Sequence, residues 1–295
     1  GIMNLTGEIA EIAADNHSGA TALAERAAAL LTAAQSLPAE ELPTLCVALA
    51  KAQPAMAPLL RLANAVLFAA SGRPASSSAI RTAAEEFVSD LREHTARASR
   101  HGAAILPDGR VLTHSASSLV AEAILTAHAD GRRIEVVCSE SRPGFEGRAL
   151  AARLAAAGVP VTLVVDAAPA LLSQCNLLLV GADTVCAAGL VHKVGTLGLA
   201  LAARFQGVST YALATGEKLL PRACGDQPPV PERDPDEVLP DAPPGVTPLN
   251  FYYDLTPHSL LDGIITEEGP LPAKTLDQQL DAMPVHPALA GIWRE

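Results

Sequence analysis

Asp183 follows Leu178-Leu179-Val180, one of the most apolar runs of the chain. A carboxylate behind such a run is partly desolvated, which raises its pKa and suits it to act as a general base. An Asp in this place can also cap the following turn, and spacing alone leaves both roles open. Ser115-Ala116-Ser117-Ser118 follows the short run Val111-Leu112-Thr113 and opens a helical stretch. Hydroxyls and free N–H groups at a helix start bind anions. Gly195-Thr196 opens another helix just after Lys193, in a chain where lysine is scarce. A phosphate site built on these residues is one expectation; ordinary caps and a surface lysine are the other.

Several standard chemistries have no support. There is no G-x-G-x-x-G after a strand and no P-loop, so neither a dinucleotide nor a nucleoside-triphosphate site is expected. Ser115 occupies the place of a hydrolase nucleophile, but Thr113 and Ser117 stand where G-x-S-x-G requires glycines. The five cysteines, Cys46, Cys138, Cys175, Cys186 and Cys224, form no CxxC pair. Buried reduced thiols are therefore expected, without a zinc site or a disulfide framework. Cys138 falls within a strand and is expected in the core.

Positioning these residues requires two kinds of architecture. Residues 4–100 read as helical throughout, with helices over 20–31, from Leu37-Pro38-Ala39-Glu40-Glu41, from Pro58 to Ala70, and over 76–97 after a turn at Ser71-Gly72-Arg73-Pro74. From Arg110 onward, short apolar runs alternate with helical stretches of about ten residues. The runs are 111–113, 134–138, 161–165, 177–180 and 210–213; the helices are 119–128, 148–157, 167–173 and 197–205. This alternation is the pattern of an α/β fold with a parallel sheet. The first four runs end in His114-Ser115, Ser139-Glu140-Ser141, Asp166 and Gly181-Ala182-Asp183. Ligands of open parallel sheets bind at the carboxyl ends of the strands, so some of these endings should share a cleft. The expected division is a helical N-terminal domain over 3–104 and a Rossmann-like α/β domain over 105–295. The latter carries a Pro-rich excursion over 221–257, with ten of the 23 prolines. Phe251-Tyr252-Tyr253 within it holds three of the nine aromatics, reads as a packed flap and is a candidate for the contact with a second subunit; Gly263-Ile264-Ile265-Thr266 returns as a final strand.

Composition narrows the partners. The 295 residues carry 21 Lys+Arg against 32 Asp+Glu, a formal charge of -11, with only 3% aromatics. Neither a general nucleic-acid surface nor a single-strand stacking platform can be built from that. Mean hydropathy is high at +0.25, yet the apolar runs stay far below the roughly 18–20 residues of a membrane span. Glu8, Glu11, Asp15 and Glu25 replace the features of a secretory leader, so a cytoplasmic protein is expected.

The residues that end the strands also carry a resemblance. Ser139-Glu140-Ser141-Arg142-Pro143-Gly144-Phe145-Glu146-Gly147 resembles a (T/S)-E-(S/T)-R-P-x-x-x-G segment. Val180-Gly181-Ala182-Asp183 and His192-Lys193-Val194-Gly195-Thr196 resemble V-G-A-D and N-K-I-G-T segments, and Asp254-Leu255-Thr256-Pro257 and Ile264-Ile265-Thr266-Glu267-Glu268-Gly269 resemble a D-x-T-P and I-I-T-E-x-G tail. Together, from about Leu106 to Pro270, they resemble the superfamily of methylthioribose-1-phosphate isomerase, ribose-1,5-bisphosphate isomerase and the alpha, beta and delta subunits of translation initiation factor 2B. The resemblance implies a helical domain on a Rossmann-like domain, a homodimer or higher homo-oligomer, and a small phosphorylated sugar or nucleotide as ligand. It implies aldose–ketose isomerisation of a phosphorylated pentose without metal or organic cofactor, with Asp183 as base.

The departures from the pattern matter as much. The isomerases end their first strand in T-H-C-N, whose Cys is the catalytic acid/base; here the segment is Thr113-His114-Ser115-Ala116. Ser115 or His114 would be the modified partner of Asp183. Ser117 instead matches the T-H-A-x-S of the initiation-factor subunits. An R-G-A loop appears as Ser18-Gly19-Ala20, and an A-R-P segment as Ala52-Gln53-Pro54, so two ligand-binding arginines are missing. The retained ligand candidates are Arg142, Lys193, His192, Gly195, Thr196, Ser117 and Gly19. Two alternatives follow from the losses: a binding or regulatory protein that keeps the pocket without turnover, and an isomerase or lyase for a less phosphorylated sugar.

Overall fold

The computed structural model describes residues 2–72 and 77–294. Its first part is helical: α1 (Ile2–Ala14), α2 (Ala20–Ala33), α3 (Leu42–Ala52), α4 (Ala57–Ala70) and α5 (Ser77–Ile105). Residues Leu37 to Glu41 do not open the third helix directly; a single 3-10 turn, Ala39–Glu41, precedes it. Arg73, Pro74 and Ser76, part of the expected turn and helix start, lie outside the described residues, and α5 continues past Arg97 to Ile105. The apolar face of α2 buries Leu23, Ala24, Ala27, Ala28, Leu30 and Leu31. Helix α4 is buried on nearly every side and carries Pro58 in its first turn, where it needs no N–H partner. Burial of most of its surface explains its lack of a broad polar face.

The second part runs β1 (Gly109–Thr113), α6 (Ser118–Ala129), β2 (Ile134–Ser139), α7 (Glu146–Ala156), β3 (Val161–Val164), β4 (Leu177–Val180), β5 (Thr184–Val185), β6 (Leu190–Lys193), α8 (Thr196–Gln206), β7 (Ser209–Leu213), β8 (Tyr253–Thr256), β9 (Gly263–Thr266), β10 (Gly269–Pro270) and α9 (Ala273–Ala282). The main sheet has the order β10-β9-β7-β4-β1-β2-β3. All its neighbours are parallel except the β9–β10 hairpin. The α/β class read from the sequence is thus the observed one. The stretch expected as a helix over 167–173 is a 3-10 segment, Ala168–Gln174.

A second sheet, β5-β6-β8, is antiparallel and was not visible in the apolar runs. It pairs Val191 with Leu255 and His192 with Asp254, bringing two motif segments side by side. Tyr253, on β8, is buried in the core of the helical part, together with Val191, Leu220 and Leu289. Tyr252 packs beside it. Both tyrosines therefore pack on this chain's own helices, while Phe251 and Tyr252 keep part of their surface exposed.

Helix α5 joins the two parts, since it packs on α2, α4, α6 and β9. A Cβ on Gly102 would lie 2.7 Å from Leu213 Cδ1, so glycine is what allows α5 to approach β7 this closely. All five cysteines are free and buried. Cys138 is fully buried in the sheet core, and burial pushes its thiol up to about 12. Among the described residues, no helix is long and apolar enough to cross a membrane.

Candidate functional site

The chain order reverses between β4 and β1: β2 and β3 lie on one side of β1, β4 and β7 on the other. A crevice opens at such a switch point. Here it is a cavity of about 510 Å³. The sheet contributes Ser115 to Leu119 after β1, Ala182 and Asp183 after β4, and Thr215 and Lys218 after β7. The small sheet contributes His192, Lys193, Tyr252 and Tyr253, and the helical part contributes the loop from Asp15 to Gly19, the first turn of α2, Gln53 and Met56.

Asp183 and His192 meet in this cavity. Asp183 Oδ2 is 3.1 Å from His192 Nδ1. With Nδ1–H donating to the carboxylate, Nε2 is left as an acceptor; it is buried and has no partner among the described residues. The backbone around Asp183 is tied down on both sides. Its N–H donates to Val191 O at 2.9 Å, and its carbonyl accepts from Ala57 N at 3.2 Å. Thr184 Oγ1 donates to Ala55 O at 2.6 Å, so the helical part holds the β4–β5 turn.

Ser117 caps α6, its hydroxyl accepting from Val120 N at 3.2 Å. A Cβ on Gly181 would lie 2.5 Å from Ser117 Oγ, so the glycine of the V-G-A-D segment makes room for this cap. Ser115 adopts φ 69, a left-handed conformation rare outside glycine. Its N–H donates to Ser141 Oγ at 2.8 Å, and Ser141 N donates to Asp166 Oδ1 at 2.8 Å. The ends of β1, β2 and β3 are therefore stitched along one edge.

Lys193 lines the cavity, but its ammonium sits 2.9 Å from both oxygens of Glu146. With 5% of its side chain exposed, it is a buried ion pair and not a free cation. Gly19 precedes α2, whose first turn no side chain caps. Asp15 shapes that loop by accepting from His17 N, Ser18 N and Ser18 Oγ.

The structure does not bring the remaining candidates to the cavity. His114 is buried between its neighbours: Nε2–H donates to Val194 O at 2.7 Å, and Nδ1 accepts from Ser139 Oγ. Both nitrogens are committed, and burial above all holds its pKa down to about 4. It therefore lies off the cavity wall, packed between β2 and the β6–α8 turn. Arg142 points to the Pro-rich segment, where Nη2 donates to Glu237 O at 3.0 Å. The start of α8 is already occupied: Asp254 Oδ2 accepts from Gly195 N at 2.8 Å and Leu197 N at 3.2 Å. Thr196 is fully buried and donates to Lys193 O. A carboxylate of the chain itself thus fills the anion site expected at Gly195-Thr196.

Two cavity residues carried no sequence signal. Arg233 comes from the Pro-rich segment. Its Nη2 donates to Gln53 Oε1 at 3.1 Å, its guanidinium lies 4.9 Å from the Tyr252 ring centre, and its Nε is buried without a partner. Gln53 is itself held by Ile12 O and Asp15 O, at 3.0 and 2.8 Å. Lys218 ends a 3-10 turn, Gly216–Lys218, after β7. Neither lies in a periodic run or a family segment singled out above.

The model of the initiation factor 2 subunit family matches residues 12–273. The chain belongs to this family. Among curated relatives, methylthioribose-1-phosphate isomerase of Gemmatimonas aurantiaca is 42% identical over 185 residues, covering 58% of this chain and 54% of that protein. Ribose 1,5-bisphosphate isomerase of Archaeoglobus fulgidus is 36% identical over 195 residues, covering 64% and 62%. These alignments thus span less than two thirds of either relative. Among solved structures, translation initiation factor eIF-2B of Pyrococcus horikoshii OT3 superposes with a TM-score of 0.81 at 28% identity, covering 92% of this chain and 98% of that one. The 5-methylthioribose 1-phosphate isomerase of the same organism gives 0.72 at 26% identity, covering 92% and 86%. The family therefore joins sugar-phosphate isomerases and initiation factor 2B-like proteins, and this chain shares its fold from the first helices to the last strands.

Proposed function

We infer that the protein isomerises a phosphorylated pentose from aldose to ketose, with Asp183 as the base. The observation that carries this reading is the Asp183–His192 pair inside a cavity at the sheet's switch point. A carboxylate fixed there can take a proton from the C2 hydroxyl of a bound sugar. His192 Nε2, an acceptor without a partner, suits a neighbouring hydroxyl. Phosphate would lie against Arg233 and the uncapped first turn of α2, next to Gly19. Arg142, Gly195 and Thr196 play no part in this arrangement. A homodimer or higher homo-oligomer goes with the same reading, and sedimentation equilibrium tests it.

The test is turnover. Ribose 1-phosphate, methylthioribose 1-phosphate and ribose 1,5-bisphosphate should be offered, with the ketose product read by mass spectrometry and NMR. Asp183→Asn should abolish conversion. Failure of the wild type to convert any pentose phosphate overturns the reading.

Ser115, in place of the family thiol, favours a second reading: a protein that binds a sugar phosphate or nucleotide without turnover. Saturable thermal stabilisation by AMP or pentose phosphates, with no product, supports it. The absence of any shift across such ligands sinks it.

A further inference from the structure

Three residues from distant segments meet beside the cavity: His94 on α5, Glu217 on the 3-10 turn Gly216–Lys218 after β7, and Glu267 after β9. One donor atom of each lies within 4.8 Å of the other two. His94 Nδ1 is 2.5 Å from Glu217 Oε1 and 3.7 Å from Glu267 Oε1. Both carboxylates are buried, with 8% and 10% of their side chains exposed. None of the three lines the cavity itself.

Two buried carboxylates this close repel each other and call for a cation. Among the described residues, no lysine or arginine forms an ion pair with either one. Arg61 on α4 is close enough to feel both charges, but its Nη1 donates to Gly216 O at 2.8 Å and to Leu219 O at 2.9 Å instead. Lys218 follows Glu217 in the chain but lines the cavity. Glu217 Oε2 is buried and has no hydrogen-bond partner among the described residues. The desolvation of that oxygen is not compensated by any group of the protein.

We propose that His94, Glu217 and Glu267 hold a divalent transition-metal ion of the zinc type, as a clamp between the helical part and the sheet. An imidazole with two carboxylates suits zinc better than magnesium or calcium, which prefer oxygen ligands alone. Zinc bonds of about 2.1 Å in a tetrahedron put neighbouring donors about 3.4 Å apart. The two His94 separations, 2.5 and 3.7 Å, bracket that value, so small side-chain rotations close the site. His94 keeps 28% of its side chain exposed, which gives an entry path and room for a water as fourth ligand. The proposal does not depend on how the cavity is used.

The surroundings hold the ligands ready for the ion. Both oxygens of Glu267 accept from Gly216 N, at 3.0 and 3.1 Å. A Cβ on Gly216 would lie 2.7 Å from Glu267 Oε1, so glycine is what admits this contact. Arg61 fixes the same turn through its two carbonyls. Contacts of this kind orient metal ligands and strengthen binding. No cysteine belongs to the cluster. Because Glu217 adjoins Lys218, an ion here ties α5 to a turn that forms part of the cavity wall.

The test uses the full-length protein, treated with a chelator and then titrated with Zn²⁺ alone. Calorimetry should show one equivalent bound with a micromolar or tighter Kd, and the melting temperature should rise to a plateau. Mg²⁺ and Ca²⁺ at the same concentrations should produce neither effect. His94→Gln and Glu217→Gln should each weaken zinc binding by about 100-fold or more. His94 is the most exposed of the three, so His94→Gln keeps the fold available for measurement. Zinc X-ray absorption on the wild type should show nitrogen and oxygen neighbours at about 2.1 Å, without the sulfur at about 2.3 Å that a cysteine ligand gives. Binding of less than one equivalent without a rise in melting temperature overturns the proposal. So does an equal response to Mg²⁺ or Ca²⁺, unchanged affinity in His94→Gln, or a sulfur neighbour. The isomerase reading stands or falls separately, on turnover by the wild type.

Discussion

Gln53 Oε1 accepts a hydrogen bond from Arg233 Nη2 at 3.1 Å. Gln53 stands where the family pattern has the arginine of A-R-P, and Arg233 reaches the same place from a segment 180 residues away. A guanidinium is therefore present at the cavity wall although the local arginine is absent. Arg233→Ala should weaken binding of a pentose 1-phosphate by about tenfold or more, as for loss of a charge-assisted hydrogen bond. Arg233→Lys should recover only part of this, because an ammonium lacks the planar fork. Calorimetric titration of both variants measures it. Unchanged affinity in Arg233→Ala would remove Arg233 from the ligand site.

Lys193 and Glu146 make the second test. The ammonium is almost wholly buried, and Glu146 is 28% exposed. Glu146→Gln leaves a buried lysine without its anion, and the partial exposure moderates the cost to about 2 kcal/mol. Urea unfolding should show that loss. Adding Lys193→Met should restore much of it, since an apolar chain of similar length needs no counter-ion. If Glu146→Gln is neutral, the pair is solvated in solution and Lys193 returns as a candidate phosphate ligand.

These residues also show where the sequence was legible. The strand β4 stood out because a parallel strand buried on both faces reads as an unbroken apolar run, and β1, β2 and β7 showed shorter buried apolar stretches. Of the four polar endings read from the sequence, those after β1 and β4 reach the cleft and those after β2 and β3 do not; Asp183, Ser115, Ser117, His192, Lys193 and Gly19 all line it. The antiparallel sheet was invisible because β5 is two residues long and β8 sits inside a Pro-rich segment. Arg233 and Lys218 are single cations on irregular turns, where no periodicity marks an inward direction. His114, Gly195 and Thr196 lie away from the cavity wall for another reason. Residue type and spacing suggested free groups, while the fold had already given each a partner from a distant segment: Val194 and Ser139, Asp254, and the Lys193 carbonyl.

The third prediction concerns acid stability. His114 has its pKa held down to about 4, by burial first, against the pull of the Val194 carbonyl. In the unfolded chain it titrates near about 6.5. The unfolded state therefore takes up the proton first as pH falls. The stability that His114 contributes is complete above about pH 6.5 and is lost progressively down to about pH 4, to a total of about 3 kcal/mol. His94 is shifted the other way, so its contribution is present at low pH and lost as pH rises through its raised value. His114→Gln should be less stable overall, but its unfolding free energy should fall less steeply between those two pH values than that of the wild type. Parallel curves for the two proteins would mean that His114 is solvated.

Gly181 offers the sharpest steric test. A Cβ there would stand 2.5 Å from both Cβ and Oγ of Ser117, and 3.4 Å from His192 Cε1. Rotation of the Ser117 hydroxyl could relieve the contact with Oγ, but its Cβ is fixed to the backbone at the start of α6. Gly181→Ala must therefore displace the α6 cap, the β4 end or both, at a cost of about 1–3 kcal/mol. Asp183 lies two residues further along the same turn, so the displacement reaches the candidate base. Activity should fall more than stability at temperatures where the variant is still folded. The double variant Gly181→Ala/Ser117→Gly separates the causes. It removes the opposing Cβ, and glycine remains an acceptable cap at a cost of a few tenths of a kcal/mol. Recovery of turnover in the double variant assigns the loss to steric displacement at this contact. Persistent inactivity would show that the Ser117 hydroxyl itself takes part in binding or catalysis.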